Sequence, residues 1–115
     1  MNVNSYRDEQ QKPEPNMPQY DLQTMQQKYE RWRELHRQQE RAQTEWVEAE
    51  GLLHELHAYY QSVQWREDHA NGVSIECKDG EYCITSEDTL WDMLTDRDEV
   101  AIRWMRLGLD ALERK

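Results

Sequence analysis

The stretch from Asp21 to Glu50 contains neither proline nor glycine, the two residues that most often interrupt a helix. Large apolar side chains recur within it at intervals of three and four residues: Leu22, Met25, Tyr29 and Trp32. That spacing places them on one face of an α-helix. The sequence therefore predicts a long amphipathic helix over about residues 21–50, with Asp21 as its N-cap.

The apolar row of this helix is interrupted and then resumes. The interruption is polar, at His36, Gln39 and Gln43, and the row returns at Trp46, Ala49, Leu53 and Leu56. A polar middle section suits a helix that crosses a gap, meets a second chain or bends. Glycine costs a helix about 1 kcal/mol relative to alanine. Gly51 is therefore the expected boundary with a second helix that ends near Tyr60, and a single continuous helix is the alternative.

Turn and capping residues divide the rest of the chain. Ser62 is placed to cap a short third helix, which Asn71 and Gly72 end. The segment VSIECKDGEYCIT has two short β-prone runs on either side of Asp79 and Gly80, which predicts a small hairpin. A hairpin of two strands is marginal in water, so it would have to lean on the helices.

Two capping-box patterns predict the final helices. A carboxylate follows three residues after a threonine in Thr85-x-x-Asp88 and in Thr95-x-x-Asp98, which predicts helices over about 86–94 and 96–113. The last helix carries a wide apolar arc, which predicts a central position: Val100, Ala101, Trp104, Met105, Leu107, Ala111 and Leu112. The predicted fold is mainly α, a small antiparallel helical bundle with a long N-terminal helix and a short β-hairpin insert at about 73–85.

The proline-bearing residues 1–20 are mostly polar and are predicted to form a mobile arm, which leaves 21–115 as a single helical domain. The segment LHAYYQSVQWRED, residues 56–68, is the densest aromatic cluster of that domain. Leu56, Tyr59 and Tyr60 share a helical face, and Trp65 follows the Ser62 cap. This spacing is typical of a core-facing helix and its next turn, so we interpret these aromatic side chains as core rather than as a pocket.

The formal net charge of −10 is concentrated in the C-terminal part of the chain. Residues 45–115 carry seven Lys or Arg against seventeen Asp or Glu, whereas residues 28–44 carry five against three. Such acidity disfavours direct nucleic-acid binding and suits a basic protein partner, or simply solubility. No apolar run is long enough to span a bilayer, and the N-terminus lacks the apolar core of a signal peptide, so a cytoplasmic location is expected.

Histidine and cysteine side chains offer a metal or redox alternative. His54 and His57 share a helical face with Glu50, and His69, Cys77 and Cys83 could join them. The spacing differs from the H-E-x-x-H pattern, so packing is the favoured interpretation of the histidines. Cys77 and Cys83 flank the predicted turn, and two reduced thiols are favoured over a redox pair or metal ligands. We therefore expect no bound cofactor.

Acidic side chains cluster around the predicted start of the last two helices. They are Glu87, Asp88, Asp92, Asp96, Asp98 and Glu99. They lack the spacing of a calcium loop and suit the N-terminal ends of helices, where negative charge is favoured. The chain has no glycine-rich phosphate loop and no nucleophile motif, which predicts that it is not an enzyme.

Two short blocks, LHELHAYYQSVQWRED and ITSEDTLWDML, resemble a family of small bacterial helical proteins known as domain of unknown function four-two-nine-eight. The matching positions are Tyr59, Tyr60, Trp65, Glu67, Asp68, Ser86, Glu87, Asp88, Leu90, Trp91 and Leu94. The resemblance covers roughly residues 25–113. The sequence departs from the family pattern in the N-terminal arm and in the cysteine-bearing insert between the two blocks. It implies a fold but no activity. It also suggests that the two blocks form one structural unit, with Glu67 or Asp68 hydrogen-bonded to the start of the next helix.

The leading functional hypothesis is a small, acidic, non-catalytic protein-binding module. An inhibitor, an immunity protein or a phage anti-defence factor that acts on a basic partner such as a nuclease would fit. The candidate contacts are Glu67, Asp68, Glu87, Asp88, Asp92, Asp96, Asp98 and Glu99. The alternatives are a structural or regulatory protein that forms a homodimer through its long first helix, and a metal- or redox-dependent protein.

Overall fold

The computed structural model describes residues 19–114, which contain three α-helices: α1 (Leu22–Tyr60), α2 (Val63–Asn71) and α3 (Thr89–Glu113). The mainly helical class is confirmed. Internal contacts divide the chain at Thr44. The part of α1 up to Thr44 belongs to one compact unit and residues 45–114 belong to the other. The predicted arm, residues 1–20, lies outside the described residues except for its last two positions.

The first turn of α1 is capped by Asp21, as the sequence predicts. Its Oδ2 accepts hydrogen bonds from the backbone N–H of Thr24 at 2.9 Å and from the Thr24 hydroxyl at 2.7 Å. Both bonds favour the charged carboxylate, so they hold the pKa of Asp21 below its ordinary value. The charged cap also faces the positive end of the helix.

The helix boundary expected at Gly51 is wrong, and the alternative of one continuous helix is correct. Gly51 is exposed, and a Cβ atom added to it would contact nothing within 4 Å. The residue therefore costs the helix only its intrinsic propensity, about 1 kcal/mol. Half-buried Leu53 and Leu56 follow within about one turn, and the packing of such residues offsets a cost of that size.

The short helix α2 begins and ends at the predicted residues. The Ser62 hydroxyl oxygen accepts a hydrogen bond from the backbone N–H of Trp65 at 3.1 Å, and the hydroxyl donates to the Tyr59 carbonyl at 2.5 Å. Gly72 follows α2 with φ of 59°, in the left-handed region, and its N–H donates to the His69 carbonyl at 3.3 Å. The serine cap and the glycine stop are both confirmed.

The predicted β-hairpin is wrong, because no strand occurs among residues 19–114. The turn at Asp79 and Gly80 does form, with the Glu81 N–H donating to the Lys78 carbonyl at 3.0 Å and φ of 82° at Gly80. The flanking runs do not pair as a ladder. Two isolated strands gain little in water, and the second run instead gives its carbonyls to α2 side chains.

The two predicted C-terminal helices are one helix, α3, and the boundary at Thr95 is wrong. The Thr95 hydroxyl donates to the Trp91 carbonyl at 3.2 Å, which is the bond of a threonine inside a helix rather than of a cap. Asp88 occupies the N-cap position, but its side chain makes no capping hydrogen bond. No proline or glycine separates the two predicted segments, so the helix continues.

The core of residues 45–114 is small. Leu90 is the only residue of the described chain that is fully buried, at 2% exposure. The α3 residues around it are half-buried: Met93, Leu94, Arg97, Val100 and Ala101. Beyond Ala101 every side chain of α3 is exposed, so the central position predicted for the whole apolar arc is wrong. Only the first half of α3 packs on its neighbours.

None of the helices in residues 19–114 combines the length and apolar character that a membrane-crossing segment requires.

Candidate protein-binding surface

The aromatic segment around Trp65 fixes the loop that leads into α3. The rings of Tyr60 and Trp65 meet edge to face at 4.8 Å, and the Trp65 and His69 rings stack at 5.1 Å. The Trp65 indole N–H donates to the Ile84 carbonyl at 2.9 Å, and His69 Nδ1 lies 2.6 Å from the Thr85 carbonyl. A carbonyl only accepts, so Nδ1 carries the proton of this bond. These contacts link the segment to the loop, but its aromatic side chains are half-buried rather than the fully buried core that the spacing predicts.

The two acids of this segment have different surroundings. Asp68 is half-buried, and its Oδ2 accepts a hydrogen bond from the Tyr59 hydroxyl at 2.7 Å, which raises the pKa of Tyr59. Glu67 is exposed. The expected bond from Glu67 or Asp68 to the start of the next helix is not the link observed between the two blocks. Trp65 and His69 make that link instead, through backbone carbonyls of the loop.

Five of the remaining predicted contact residues lie directly before α3 or in its first half. Glu87 and Asp88 precede the helix. Asp92, Asp96 and Glu99 lie on one side of it, within an arc of roughly 60° at 3.6 residues per turn. All five are exposed. The structure thus leaves these five acids in solvent, while Glu67 and Asp68 belong to a different helix, α2.

Asp98 is engaged by a neighbouring cation. Its Oδ1 accepts a hydrogen bond from Arg97 Nε at 2.8 Å, and Arg97 Nη1 lies 2.7 Å from Glu50 Oε1. The bond to Asp98 is the main reason that the pKa of Arg97 is raised, and the charge of Glu50 adds to it. Asp98 is therefore partly neutralised, and Glu50 serves an ion pair between helices rather than the histidines beside it.

An apolar groove lies beside this ion pair. Its volume is about 350 Å³, and its lining is mostly aliphatic and aromatic: Trp46, Ala49, Glu50, Leu52, Leu53, Leu56, Met93, Asp96, Arg97 and Val100. The groove is open to solvent rather than enclosed. Its polar lining groups are Glu50, Asp96 and Arg97.

The second half of α3 exposes a regular row of large apolar side chains. They are Ile102, Met105, Leu109 and Leu112, here called the apolar row of α3, and each is between 49% and 73% exposed. Their spacing of three, four and three residues places them within an arc of roughly 80°. Single exposed apolar residues are ordinary, but a contiguous row is typical of an interaction surface.

The candidate metal ligands are not gathered into a site. Among residues 19–114, no group of three or more His, Cys, Asp or Glu side chains is arranged to hold a metal ion. His54 is exposed and His57 is half-buried. His69, which could have completed such a site, is stacked on Trp65 and bonded to the Thr85 carbonyl.

Cys77 and Cys83 carry free thiols and differ in their surroundings. Cys83 is half-buried, and its Sγ lies 3.0 Å from the Thr85 hydroxyl oxygen, a contact that lowers the pKa of Cys83. Cys77 is exposed, and desolvation together with the nearby Cys83 sulfur raises its pKa. The two thiols act on one another, but Cys83 is the one that is more readily deprotonated.

The apolar row of α3 is the feature that the sequence prediction missed. The spacing predicts that the apolar arc of the last helix, which includes Met105 and Leu112, belongs to the core. The arc spans more of the helix circumference than one packing partner can cover. Ile102 and Leu109, which extend it further, were the signal that part of it must face outward.

A family model described as Domain of unknown function (DUF4298) matches residues 22–107, about three quarters of the chain. No curated protein and no solved structure matches the chain significantly.

Proposed function

The chain belongs to the Domain of unknown function (DUF4298) family, a membership that assigns no activity, and we propose that it is a small, acidic, non-catalytic protein-binding module. The observation that carries this proposal is the exposed apolar row of α3, at Ile102, Met105, Leu109 and Leu112. A row at positions i, i+3, i+7 and i+10 has the pattern of a helix that lies in an apolar groove of another protein.

The energetics of such a row favour association. Burial of apolar surface contributes roughly 25 cal/mol per Å², and about 1.5–3 kcal/mol for a whole Leu, Ile or Met side chain. Met105 is 73% exposed and Leu112 is 66% exposed, so each retains most of that contribution for a partner. A partner that covers the row would therefore be held chiefly by these side chains, which control its rate of dissociation.

Charge indicates the kind of partner. The chain carries a formal net charge of −10, and Glu87, Asp88, Asp92 and Asp96 project into solvent from the start of α3. Such a field accelerates encounter with a basic protein and repels nucleic acid. The acids lie away from the apolar row, so they would steer the approach of the partner without being buried in the contact.

A basic protein with an apolar groove is accordingly the proposed partner. An inhibitor, an immunity protein or a phage anti-defence factor directed at a nuclease would combine these properties, because nucleases carry basic surfaces for their substrate. The acidic charge and the exposed apolar row of α3 support this class of function.

The test compares captures from a host lysate with matched baits. One bait is the unmodified protein, and the second carries Met105→Gln and Leu109→Gln, which make the row polar but keep good helix formers. The control bait carries Arg106→Gln and Asp110→Gln, one position further along, where the side chains are exposed and the net charge is unchanged. Bound proteins are quantified by mass spectrometry at two salt concentrations.

The proposal predicts one basic protein that the unmodified and control baits retain and the row variant loses at least tenfold. Circular dichroism of all three baits confirms that the helices are intact. A partner retained equally by the row variant would contradict the proposed surface. Loss of the partner from the control bait as well would show that the effect is not specific to the apolar row.

A further inference from the structure

The part of α1 up to Thr44 carries a seam whose side chains, apart from Met25, are exposed. Its positions repeat every seven residues as the a and d positions of a coiled coil: Leu22, Met25, Tyr29, Trp32, His36, Gln39 and Gln43. Tyr29 is 51% exposed and Trp32 is 55% exposed, while Met25 is half-buried. Two large aromatic rings that are about half exposed on a regular seam offer a surface for association, because such rings dominate interface energetics.

We propose that this seam, here called the α1 seam, pairs with the same segment of a second copy of the chain in antiparallel orientation. The twofold axis would pass between Arg37 and Gln38. His36 of one copy would then meet Gln39 of the other, and Trp32 would meet Gln43. A homodimer through the long first helix is one of the expectations from the sequence, and the charges beside the seam indicate its register and direction.

Charges that flank the seam determine the direction. In a coiled coil the e and g positions lie beside the core and set partner orientation. In a parallel pair, Lys28 at g would face Arg33 of the second copy at e, so two like-charge contacts would form. In the antiparallel pair, e positions face each other, and Arg33 would face Glu40 of the second copy twice by symmetry. The antiparallel arrangement therefore replaces repulsion with attraction.

The same charges select the register. If the two helices slide by one heptad, Arg33 would face Arg33 of the second copy, which is repulsive. Arg33 has no carboxylate partner within 4.0 Å among residues 19–114; its Nη1 contacts the Tyr29 hydroxyl at 3.2 Å. The Glu40 carboxylate lies 3.7 Å from His36 Nε2, and its side chain is 64% exposed. Both ions are thus available to a second copy.

Polar residues at the centre of the seam are consistent with a specified register. His36, Gln39 and Gln43 add little hydrophobic burial, but a polar side chain at a core position of a coiled coil fixes register and partner number at a cost in stability. His36 is stacked on Trp32 with ring centroids 4.7 Å apart, so the ring that the second copy would contact is already oriented. We expect a dimer whose population depends on concentration.

Sedimentation equilibrium of the full chain tests the pairing. The unmodified protein is expected to reach twice the chain mass of 14.0 kDa at high concentration. Arg33→Glu and Glu40→Arg, each alone, place like charges opposite one another and should weaken dimerisation at least tenfold. The double variant Arg33→Glu with Glu40→Arg restores attraction and should restore the dimer. Arg31→Glu, at an outward c position of the heptad, is the matched control and should leave the dimer unchanged.

Orientation has its own measurement. A spin label at Gln27→Cys, in a background with Cys77→Ser and Cys83→Ser, would be displaced from its copy by about 32 Å along the helix axis in the antiparallel pair, at 1.5 Å per residue. In a parallel pair the two labels would lie at the same height on the outer faces of the helices, separated by the interaxial distance of about 10 Å plus the outward reach of both side chains, and therefore closer together than in the antiparallel pair. A short label distance, or single and double charge variants with equal dimer affinity, would overturn the proposal.

The apolar row of α3 must be distinguished from the α1 seam. The variant with Met105→Gln and Leu109→Gln should dimerise like the unmodified protein, because neither position belongs to the seam. If the unmodified protein is a monomer at every concentration, or if this variant dissociates the dimer, pairing through the α1 seam is contradicted. Neither result decides the proposed function. If this variant loses the captured partner but still forms the dimer, the apolar row of α3 and the α1 seam have different roles.

Discussion

The indole nitrogen of Trp65 donates a hydrogen bond of 2.9 Å to the backbone carbonyl of Ile84, nineteen residues further along the chain. This bond joins α2 to the irregular segment that precedes α3. Because the same ring is contacted edge-on by Tyr60 and face-on by His69, its position is fixed from three sides. The contact explains how a segment without strands or buried side chains keeps a defined path into the last helix.

Trp65→Phe should lower the free energy of unfolding by about 1 kcal/mol, since it removes the N–H donor but keeps an aromatic ring. Urea unfolding followed by circular dichroism measures the change. The matched control is Trp91→Phe, because Trp91 is 61% exposed and its indole donates no hydrogen bond within the described chain. The control should change stability by less than about 0.5 kcal/mol. Equal effects at both positions would contradict the role of the indole hydrogen bond.

Gly51→Ala should raise the free energy of unfolding by up to about 1 kcal/mol, because alanine is the better helix former and its Cβ meets nothing within 4 Å. Gly72→Ala provides the comparison, since Gly72 also has open space around it but has φ of +59°. There alanine should destabilise by roughly 1–2 kcal/mol. Thermal or urea unfolding of both variants measures the two changes in the free energy of unfolding. Destabilisation by Gly51→Ala would show that α1 does not run through this position.

The Glu50–Arg97 ion pair should contribute more than an ordinary surface pair, although each partner is about a third exposed and solvent screens much of the attraction. In a double-mutant cycle of Glu50→Gln and Arg97→Met we expect a coupling of roughly 0.5–1 kcal/mol that shrinks in high salt. The pair Arg31–Glu34 is about 60% exposed and should couple by no more than about 0.5 kcal/mol. Equal coupling energies would mean that the Glu50–Arg97 contact is no different from a solvated pair.

The two thiols should react with alkylating reagents over different pH ranges. The Thr85 hydroxyl can donate to the Cys83 thiolate, which lowers the pKa of Cys83, whereas desolvation raises that of Cys77. Iodoacetamide rates measured against pH on Cys77→Ser, which leaves Cys83, should reach half-maximum at lower pH than on Cys83→Ser. Adding Thr85→Val to Cys77→Ser should move the Cys83 profile to higher pH. If Thr85→Val leaves the pH profile of Cys83 unchanged, the Thr85 hydroxyl is not the cause of the lowered pKa.

The helix ends were predictable where a side chain closes the end locally. Asp21, Ser62 and Gly72 make their hydrogen bonds to groups within three or four residues, so these helix ends can be predicted from the sequence. The breaks expected at Gly51 and Thr95 were wrong because a helix tolerates glycine or threonine when the residues on both sides remain helical. A local signal gives a preference, and the energy of the neighbouring turns decides whether the helix ends.

The missing hairpin and the exposed row of α3 have a different cause. Both depend on which surfaces of the protein meet. A buried residue and an exposed residue can have the same spacing in the sequence. Ile84 lies in a β-prone run, but its carbonyl is used by Trp65 rather than by a neighbouring strand. Met105 has the spacing of a core residue and is 73% exposed, because only the first half of α3 packs. Periodicity identifies an apolar face and cannot say what covers it.

The measurement that most directly tests the proposed function is the association and dissociation kinetics of the captured partner with two variants at two salt concentrations. Met105→Gln with Leu109→Gln should raise the dissociation rate at least tenfold and leave association nearly unchanged. Neutral isosteres at Glu87, Asp88, Asp92 and Asp96 should slow association and flatten its salt dependence, with little change in dissociation. A dissociation rate that is unaffected by the first variant would contradict the account.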